Sequence, residues 1–589
     1  MDLQTFGTLI GVIVGVLSIF KVLYDFIESK KKRKQNAPPN VKIKDPEANV
    51  AISSAISKTS NPDPVTLNFM AMMQQGKYQE AVALAELERN QLLSSLSAKE
   101  SIDKQLELDY FDVWHARALI YTGETNDAIR KLDEIIIRLE KEKDDSHRRF
   151  RKNLILGQAH NDKGYANWMI LGHYRIAIQE FKAAIHYISK QNKQGDQLAT
   201  SCDNLGRVYS QLGYRTKAEL LIEYGRSIRS NLGENKNNRY ALSLVSSAIT
   251  SSQYGDPYRA MELSSDALRW FTESNKRGKG LAYLIQGQSK RYIGSNWKYQ
   301  RFEDRKSSRD YLEKSLASLQ NAEAIFKDAV IEPIRLLQVY NEMGCTQREI
   351  SQMEADNNNE EEAIRRSGYA LEMLQKSLDI AHDKKYEVAY VDGCEDLARL
   401  YKNYQEIDAE EKNRKKWGNR AHEMLTKAEA IIERKSPNYF IRKNNNDRFI
   451  EDQDCIEDYW QQLGKIHMLR GHIIFDTENR PGYSIQKGSK RALVKAMENY
   501  ALAMGYFGRF LMSAENEKIK RVTNNSFLMN HRFFSKELYE RLRNLDAATI
   551  KEINNDILPK IIKEYDLENE WIDWLYKDVV ELILQMNSS

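Results

Sequence analysis

Apolar and polar positions divide the chain into three parts. Residues 3–20 are 18 consecutive uncharged, mostly apolar residues. From Pro64 onward, apolar residues recur at the three- and four-residue spacing of amphipathic helices. Between these parts, residues 30–64 are polar and hold five of the ten prolines. The pattern predicts one apolar helix, a polar tether and a long helical body.

The apolar run predicts a membrane anchor over residues 1–29. Eighteen helical residues extend about 27 Å, close to the ~30 Å hydrocarbon core of a bilayer. A cleaved signal peptide would need positive charge before the run, whereas Asp2 precedes it and the cations follow it. Because such cations stay on the cytoplasmic side, we expect a single-pass membrane protein whose body faces the cytoplasm.

Two features accompany this predicted span. Gly7, Gly11 and Gly15 fall on one stripe of the helix, where a second helix could approach closely. The alternatives are self-association into a homo-oligomer and the ordinary abundance of glycine in membrane helices. The second feature is a run of five cations at the start of the tether, which predicts binding to anionic lipid and more weakly resembles a nuclear localisation signal; these are Lys30, Lys31, Lys32, Arg33 and Lys34.

A glycine followed five residues later by alanine recurs along the first half of the body. The intervals between the glycines are 47, 49, 41 and 42 residues. Such a pattern is typical of helix hairpins, in which the glycine forms the turn and the alanine lies where the second helix crosses most closely. The pairs are Gly76 and Ala81, Gly123 and Ala128, Gly172 and Ala177, Gly213 and Ala218, and Gly255 and Ala260.

Pairs of glycines seven residues apart mark the first helices of three hairpins. We expect the first glycine of each pair to allow close helix contact and the second to end the helix. The pairs are Gly206 and Gly213, Gly287 and Gly294, and Gly464 and Gly471.

On these motifs the chain resembles the tetratricopeptide repeat (TPR) family, most closely at residues 204–233. The 41- and 42-residue intervals are similar to the longer-helix repeats of kinesin light chains. The resemblance is strong over residues 76–294 and degenerate afterwards, where MGCTQREI, DLARLYKN and LGKIHMLRG are followed by polar stretches interpreted as insertions. It implies an all-α fold, a right-handed superhelical solenoid of antiparallel helix hairpins over residues 65–515, preceded by one transmembrane helix.

The resemblance also implies a concave groove lined by the first helices, which would bind a protein or peptide. Residues beside the first glycine of a pair should face it, and an asparagine among cations could hold a peptide backbone and a carboxylate. Ordinary solvated helix residues are the alternative. The expected groove residues are Asn204, Arg207, Gln211, Gln288, Arg291, Gln461 and Lys465, with Asp203 beside them.

Residues 516–589 show helical periodicity without the repeat motif. Ser535 is expected to cap one helix, and Asp546 a second that ends at Pro559. This segment either closes the open end of the solenoid or docks a partner. A final amphipathic helix is predicted from the apolar positions Trp571, Leu575, Val579 and Leu582.

Composition and charge exclude several classes of protein. Only 28 glycines and 10 prolines occur in 589 residues, which favours helix over a collagenous or disordered chain. The net charge is +4, of which the five-cation run supplies +5, so the remainder sums to −1 and no nucleic-acid partner is expected. The cysteines lack metal or disulfide spacing and are expected to be reduced core thiols: Cys202, Cys345, Cys394 and Cys455.

Motifs for catalysis and cofactor binding are missing from the sequence. It contains no P-loop, no HExxH and no GxSxG, so we expect neither an enzyme nor a bound cofactor or metal. His467 and His472 are five residues apart, and Gly471 is expected to end a helix between them, which argues against a shared ligand role.

These observations favour a membrane-anchored TPR adaptor that binds a protein or peptide at the cytoplasmic face and scaffolds or senses it. The alternative is a membrane effector of a bacterial defence or stress pathway, whose array senses a signal and whose glycine-striped span oligomerises. A weaker third hypothesis is a regulatory subunit that anchors an enzyme encoded elsewhere.

Overall fold

The structure is a computed structural model, and it describes part of the chain within one compact unit, residues 68–589. The predicted anchor, the tether, the three span glycines and the five-cation run lie outside the described residues. No helix in the described ranges is long and apolar enough to cross a membrane. The described ranges are 72–73, 75–95, 102–142, 148–190, 195–212, 214–231, 236–295, 305–408, 410–436, 440–441, 458–478, 487–513, 537–538, 541–542 and 545–567.

Helices make up the regular structure of these ranges. Three five-residue π-helical segments extend or join them: Asn167–Leu171, Ile325–Ala329 and Ile553–Ile557. The helices are α1 (Tyr78–Ser95), α2 (Ile102–Thr122), α3 (Thr125–Lys141), α4 (Arg149–Ala166), α5 (Tyr174–Ser189), α6 (Asp196–Gln211), α7 (Arg215–Ser230), α8 (Lys236–Gln253), α9 (Pro257–Trp270), α10 (Lys276–Gly294), α11 (Arg305–Ala324), α12 (Pro333–Asp356), α13 (Glu360–Asp383), α14 (Glu387–Ile407), α15 (Glu411–Lys435), α16 (Asp458–Glu478), α17 (Lys487–Ser513), α18 (Ala547–Glu552) and α19 (Leu558–Tyr565).

Amphipathic spacing explains why these segments fold as packed helices. In α3, the buried residues recur every three or four positions, so they form one stripe that faces the neighbouring helices. They are Thr125, Ala128, Leu132, Ile135, Ile136 and Leu139. Side-chain caps fix some helix starts: the Asp256 carboxylate accepts from the Arg259 amide at 3.0 Å before Pro257, the first residue of α9.

The turn glycines and crossing alanines confirm the hairpin prediction. Left-handed backbone occurs at Gly76, Gly123, Gly172 and Gly255, with φ of 78°, 95°, 73° and 77°. The five paired alanines are fully buried. Gly213 lies outside the described residues. The four described glycines of the motif therefore lie at turns, and the paired alanines are buried in the helices that follow.

The second members of the glycine pairs have different outcomes: Gly294 is the last residue of α10, as predicted, and Gly213 lies outside the described residues. A Cβ on Gly206 would lie 2.9 Å from Ile222 Cγ1, so the first glycine does allow close contact. Gly471, however, lies in the middle of α16, where a Cβ would collide with the ring of Tyr500. The expectation that Gly471 ends a helix is wrong, because it too is a close-contact position.

The second half of the array continues as hairpins. Helix α12 ends at Asp356 and α13 begins at Glu360, while α14 ends at Ile407 and α15 begins at Glu411. The polar stretches 354–362 and 406–416 are therefore hairpin turns with their flanking helix ends, and their interpretation as insertions is wrong.

Helices pack in chain order, as expected for a solenoid. Each pair from α2 and α3 to α16 and α17 forms a hairpin, and each second helix packs on the first helix of the next hairpin. Two further contacts join distant parts: α2 meets α12, and the π segment Asn167–Leu171 meets α14. The array therefore returns on itself, which brings residues far apart in sequence into one cluster.

Two smaller predictions have separate outcomes. Cys202, Cys345 and Cys394 are buried and unbridged, as expected of core thiols; Cys455 lies outside the described residues. Asp546 does cap α18, since its carboxylate accepts from the Thr549 amide at 2.8 Å. The helix does not end at Pro559, because proline fits the first turn of α19 and helical structure continues to Tyr565.

Candidate functional site

The starts of α10 and α12 face each other across a buried ion pair. The Asn275 side chain caps α10, accepting from the Gly278 amide at 3.0 Å, and this fixes Arg277 in the first turn. Arg277 donates two hydrogen bonds to the fully buried Glu332, at 2.8 Å from Nε and 3.0 Å from Nη2. Burial alone would raise the pKa of Glu332, but Arg277 and Arg335 outweigh it and the pKa is lowered.

Arg335 lies one turn into α12, beside the same carboxylate. Its Nη2 donates to the Tyr165 hydroxyl at 2.9 Å, and its Nη1 donates to Gln338 at 2.8 Å. Its Nε is 3.4 Å from Glu332 Oε1. Glu332 thus serves two guanidinium groups, and both of its oxygens are already engaged by Arg277.

Aromatic rings separate these charges from the surrounding core. The Arg277 guanidinium lies 4.9 Å from the centre of the Tyr121 ring, and Tyr121 meets Tyr165 edge-on at 5.8 Å. Tyr165 in turn meets Trp168 edge-on at 6.1 Å. Burial raises the pKa of Tyr121 to about 12, so this phenol is neutral at pH 7.

The π segment Asn167–Leu171 carries the tryptophan that holds the third arginine. A π-helical turn shifts the side chains that follow α4, and such turns are frequent at functional sites. Trp168 donates from its indole nitrogen to Gln211 of α6, and the Arg207 guanidinium lies over its ring at 4.5 Å. Trp168 therefore fixes both polar residues at the carboxyl end of α6.

Of the three arginines Arg207, Arg277 and Arg335, Arg207 is the one whose charge is not neutralised. Its Nε is buried and has no hydrogen-bond partner within the described ranges, although the residue as a whole is half-buried. Burial, then the charges of Arg335 and Arg277, lowers the pKa of Arg207 to about 9. Asp203 also acts on Arg207, but its Oδ2 accepts from Arg229 and Ser246, and its Oδ1 has no hydrogen-bond partner within the described ranges, so no hydrogen bond joins Asp203 to Arg207.

We define the arginine cluster as Arg207, Arg277, Arg335 and Glu332. Because the pKa of Arg207 remains above 7, its three guanidinium groups and one carboxylate sum to about +2 at neutral pH. Uncompensated charge in a partly buried place is unfavourable unless another group balances it. The arrangement can therefore bind an anionic group.

The predicted groove residues fall into three groups. Asn204 lies one turn before Arg207 on α6, donating to Asn161 Oδ1 at 3.2 Å, and Gln211 lies one turn after it. Gln288 and Arg291 both bond Glu342, at 2.9 and 2.7 Å. Arg291 is not the exposed residue that was expected, because its side chain is only 12% exposed in this ion pair.

The third group lies on α16. Lys465 Nζ is 3.4 Å from Glu395 and 3.8 Å from Asp392, both on α14, and Gln461 is half-buried on the same helix. A ligand role for any of the seven groove residues stays a prediction. Of the three groups, only that on α6 joins the arginine cluster.

Sequence reasoning missed Arg277, Glu332 and Arg335. Arg335 and Tyr165 are 170 residues apart, and Arg277 and Glu332 are 55 apart, so no local motif connects them. The local signals that were present, Asn275 before α10 and Pro333 at the start of α12, mark helix starts and carry no information about charge pairing.

Comparison with known proteins does not assign the chain to a family. No protein-family model and no curated protein matches the chain. A Rap protein complexed with competence and sporulation factor matches with a TM-score of 0.35 and 11% identity, over 62% of this chain and 98% of that one. The human IFIT1 dimer with m7Gppp-AAAA matches with a TM-score of 0.40 and 14% identity, over 90% and 93%. At these scores the similarities carry no argument about function.

Proposed function

We propose that the chain is a non-enzymatic helical-repeat adaptor whose arginine cluster binds an acidic segment of a protein partner, and that residues 1–29 hold it in a membrane with its body in the cytoplasm. Arg207 carries the binding proposal. It is charged, partly accessible and stacked on Trp168, and it has no carboxylate of its own.

Polar residues flank Arg207 along α6, of which Asn204 is buried and Gln211 is half-buried. Asn204 and Asn161 connect adjacent first helices through a side-chain hydrogen bond, and Gln211 is held by Trp168. Amide and guanidinium groups on successive helices match the alternating polar groups of an extended peptide. The excess of about two positive charges favours a peptide rich in aspartate and glutamate.

The membrane part of the proposal comes from the amino-terminal sequence. Eighteen uncharged residues are followed by five consecutive cations, the order expected of a retained anchor with a cytoplasmic body. The polybasic run would add attraction to an anionic leaflet.

A second candidate function is a membrane effector that oligomerises through its span. The observation that favours it is the spacing of Gly7, Gly11 and Gly15, which places three small residues on one helix stripe. In this case the arginine cluster would be the sensing site rather than a scaffold.

The adaptor proposal is tested by capture of partners with the full-length protein in membranes. Arg207→Glu should abolish capture of an acidic partner identified by mass spectrometry, and the captured protein should be displaced by raised salt. The matched control is Arg269→Glu on α9, where the arginine side chain is 78% exposed and, among the described residues, pairs only with Asp266 on its own helix. Equal capture of the same partner by both variants would overturn the proposal.

A further inference from the structure

We propose that the arginine cluster is a phosphate site, in which Arg207 donates to one dianionic phosphate group and Arg335 and Arg277 add positive charge beside it. The inference rests on the proposed binding function and names the chemistry that the site recognises. The phosphate can be free inorganic phosphate or a phosphoryl group on a partner, and the two sources share the same contacts here.

The charge of the cluster matches a dianion better than a single carboxylate. Arg277 and Arg335 pair with Glu332, and no carboxylate bonds Arg207 within the described ranges, which leaves an excess of about two positive charges. A phosphate monoester carries about −1.5 to −2 at neutral pH, whereas a carboxylate carries −1. One carboxylate would thus leave about half of the excess uncompensated.

Arg207 has free donors, since its Nε is without a hydrogen-bond partner within the described ranges. The guanidinium of Arg277 donates to both oxygens of Glu332. Arg335 contacts Tyr165, Gln338 and Glu332. The Arg207 guanidinium stacks by its face on Trp168, and a stacked guanidinium keeps its N–H groups in the plane of the fork for a ligand. The fork geometry suits the oxygens of phosphate.

The surroundings favour a small oxyanion at this position. Trp168, Tyr165 and Arg335 are nearly buried, whereas Arg207 and Gln211 are only half-buried, so the cluster has access on the α6 side. Electrostatic attraction to an anion is stronger in such a partly desolvated place than on an open surface. The Tyr165 hydroxyl accepts from Arg335 at 2.9 Å, which keeps this guanidinium in place at the inner side of the cluster.

The experiment is isothermal titration of the full-length protein in nonionic detergent, at pH 7.5 and constant ionic strength. The probes are inorganic phosphate and O-phosphoserine, with acetate and serine as controls for charge and for the amino-acid part. We expect one site for phosphate, acetate at least about tenfold weaker, and a loss of about tenfold or more in Arg207→Gln. Arg269→Gln should bind as the unmodified protein does.

The two sources are separated by the phosphate probes. Tighter binding of O-phosphoserine than of inorganic phosphate assigns the site to a phosphorylated partner, and the reverse order assigns it to the free ion; both support the site. Lack of phosphate binding, equal affinity for acetate, or unchanged affinity in Arg207→Gln would overturn it.

A folding defect in Arg207→Gln is detected by far-UV circular dichroism. If it misfolds, the test uses Arg207→Lys, which keeps the charge but removes the planar fork and should bind phosphate more weakly. A second measurement is the rise of Tm with phosphate concentration in the unmodified protein. Phosphate binding without partner capture would reject the adaptor proposal alone, whereas capture without phosphate binding would reject this inference alone.

Discussion

The Lys384 ammonium donates a hydrogen bond of 2.9 Å to the carbonyl oxygen of Thr122, which lies 262 residues earlier. Thr122 is the last residue of α2, and the turn that follows it packs against the turn between α13 and α14. At Gly123 a Cβ would lie 2.7 Å from the Tyr386 hydroxyl oxygen and 2.9 Å from Lys384 Cδ. This contact returns the array on itself next to Tyr121, the ring beneath Arg277.

Gly123→Ala should destabilise the array by about 1–3 kcal/mol. Its φ of 95° is unfavourable for alanine, and the added carbon would collide with the turn at Tyr386. The measurement is urea unfolding followed by circular dichroism. The matched control is Gly368→Ala in α13, where nothing lies within 4 Å of the added carbon, and which should gain about 0.5–1 kcal/mol from helix propensity. Equal effects of the two variants would show that the turn contact contributes nothing.

Breaking the buried pair Arg277–Glu332 should be costly, and replacing both partners should cost less. Glu332→Gln leaves the buried guanidinium groups of Arg277 and Arg335 without their shared counterion, and we expect a loss of about 3–5 kcal/mol in the free energy of unfolding. The double variant Arg277→Met with Glu332→Leu should recover part of this loss, because it removes one of the two unpaired charges while Arg335 stays without its carboxylate. A double-mutant cycle in urea checks the prediction. Additive single effects would contradict a direct interaction.

The hairpins of the first half were predictable because their signals are local. A glycine in the left-handed region and an alanine at the crossing are both required within six residues, so the sequence shows them directly. In the second half, the hairpin turn between α12 and α13 uses Asn358 in the left-handed region instead, and the connection from α13 to the next hairpin uses Lys385, with φ of 58° and 57°. The glycine signal is therefore lost there although the hairpins continue, which is why polar turns resembled insertions.

The candidate site was predictable only at Arg207. Its place beside Gly206 on a first helix indicated an inward position, and the structure puts it against Trp168. The other arginines lie on α10 and α12, which contact each other, and Arg335 reaches Tyr165 of α4; these contacts depend on the path of the whole array. Arg291 was expected at an exposed groove position, but Glu342 on the next first helix pairs with it and removes it from the surface.

The buried histidine His467 should make stability fall as the pH is lowered from about 6.5 to about 4. Its Nδ1 lies 3.0 Å from Asn499 Oδ1, and burial, with a contribution from Arg470, lowers its pKa to about 4. The pKa of histidine in the unfolded chain is about 6.5, so between pH 6.5 and pH 4 the unfolded chain binds more protons than the folded protein. The stabilising contribution of neutral His467 is therefore fully present only above this pH range. The loss from this group at pH 5 is on the order of 1–2 kcal/mol.

The test compares urea unfolding at pH 7 and pH 5. His467→Gln, whose amide can still bond Asn499, should lose less stability between the two values than the unmodified protein. The control is His382→Gln, because the His382 side chain is 77% exposed and its removal should leave the pH dependence unchanged. If His467→Gln kept the full loss, proton uptake by His467 would not be its cause.

The proposed membrane span separates the adaptor from the effector. Gly11→Ile with Gly15→Ile fills the small-residue stripe, and because contacts of this kind are worth on the order of 1 kcal/mol, it should abolish self-association of the span. Insertion should persist, since isoleucine only raises hydrophobicity, and both versions should resist carbonate extraction unless residues 1–34 are deleted. Crosslinking in membranes and leakage of dye from vesicles give the readouts. An effector would lose both its oligomer and its leakage in the isoleucine variant while phosphate binding at the arginine cluster stayed intact. An unmodified protein that neither oligomerises nor causes leakage would eliminate the effector and retain the adaptor.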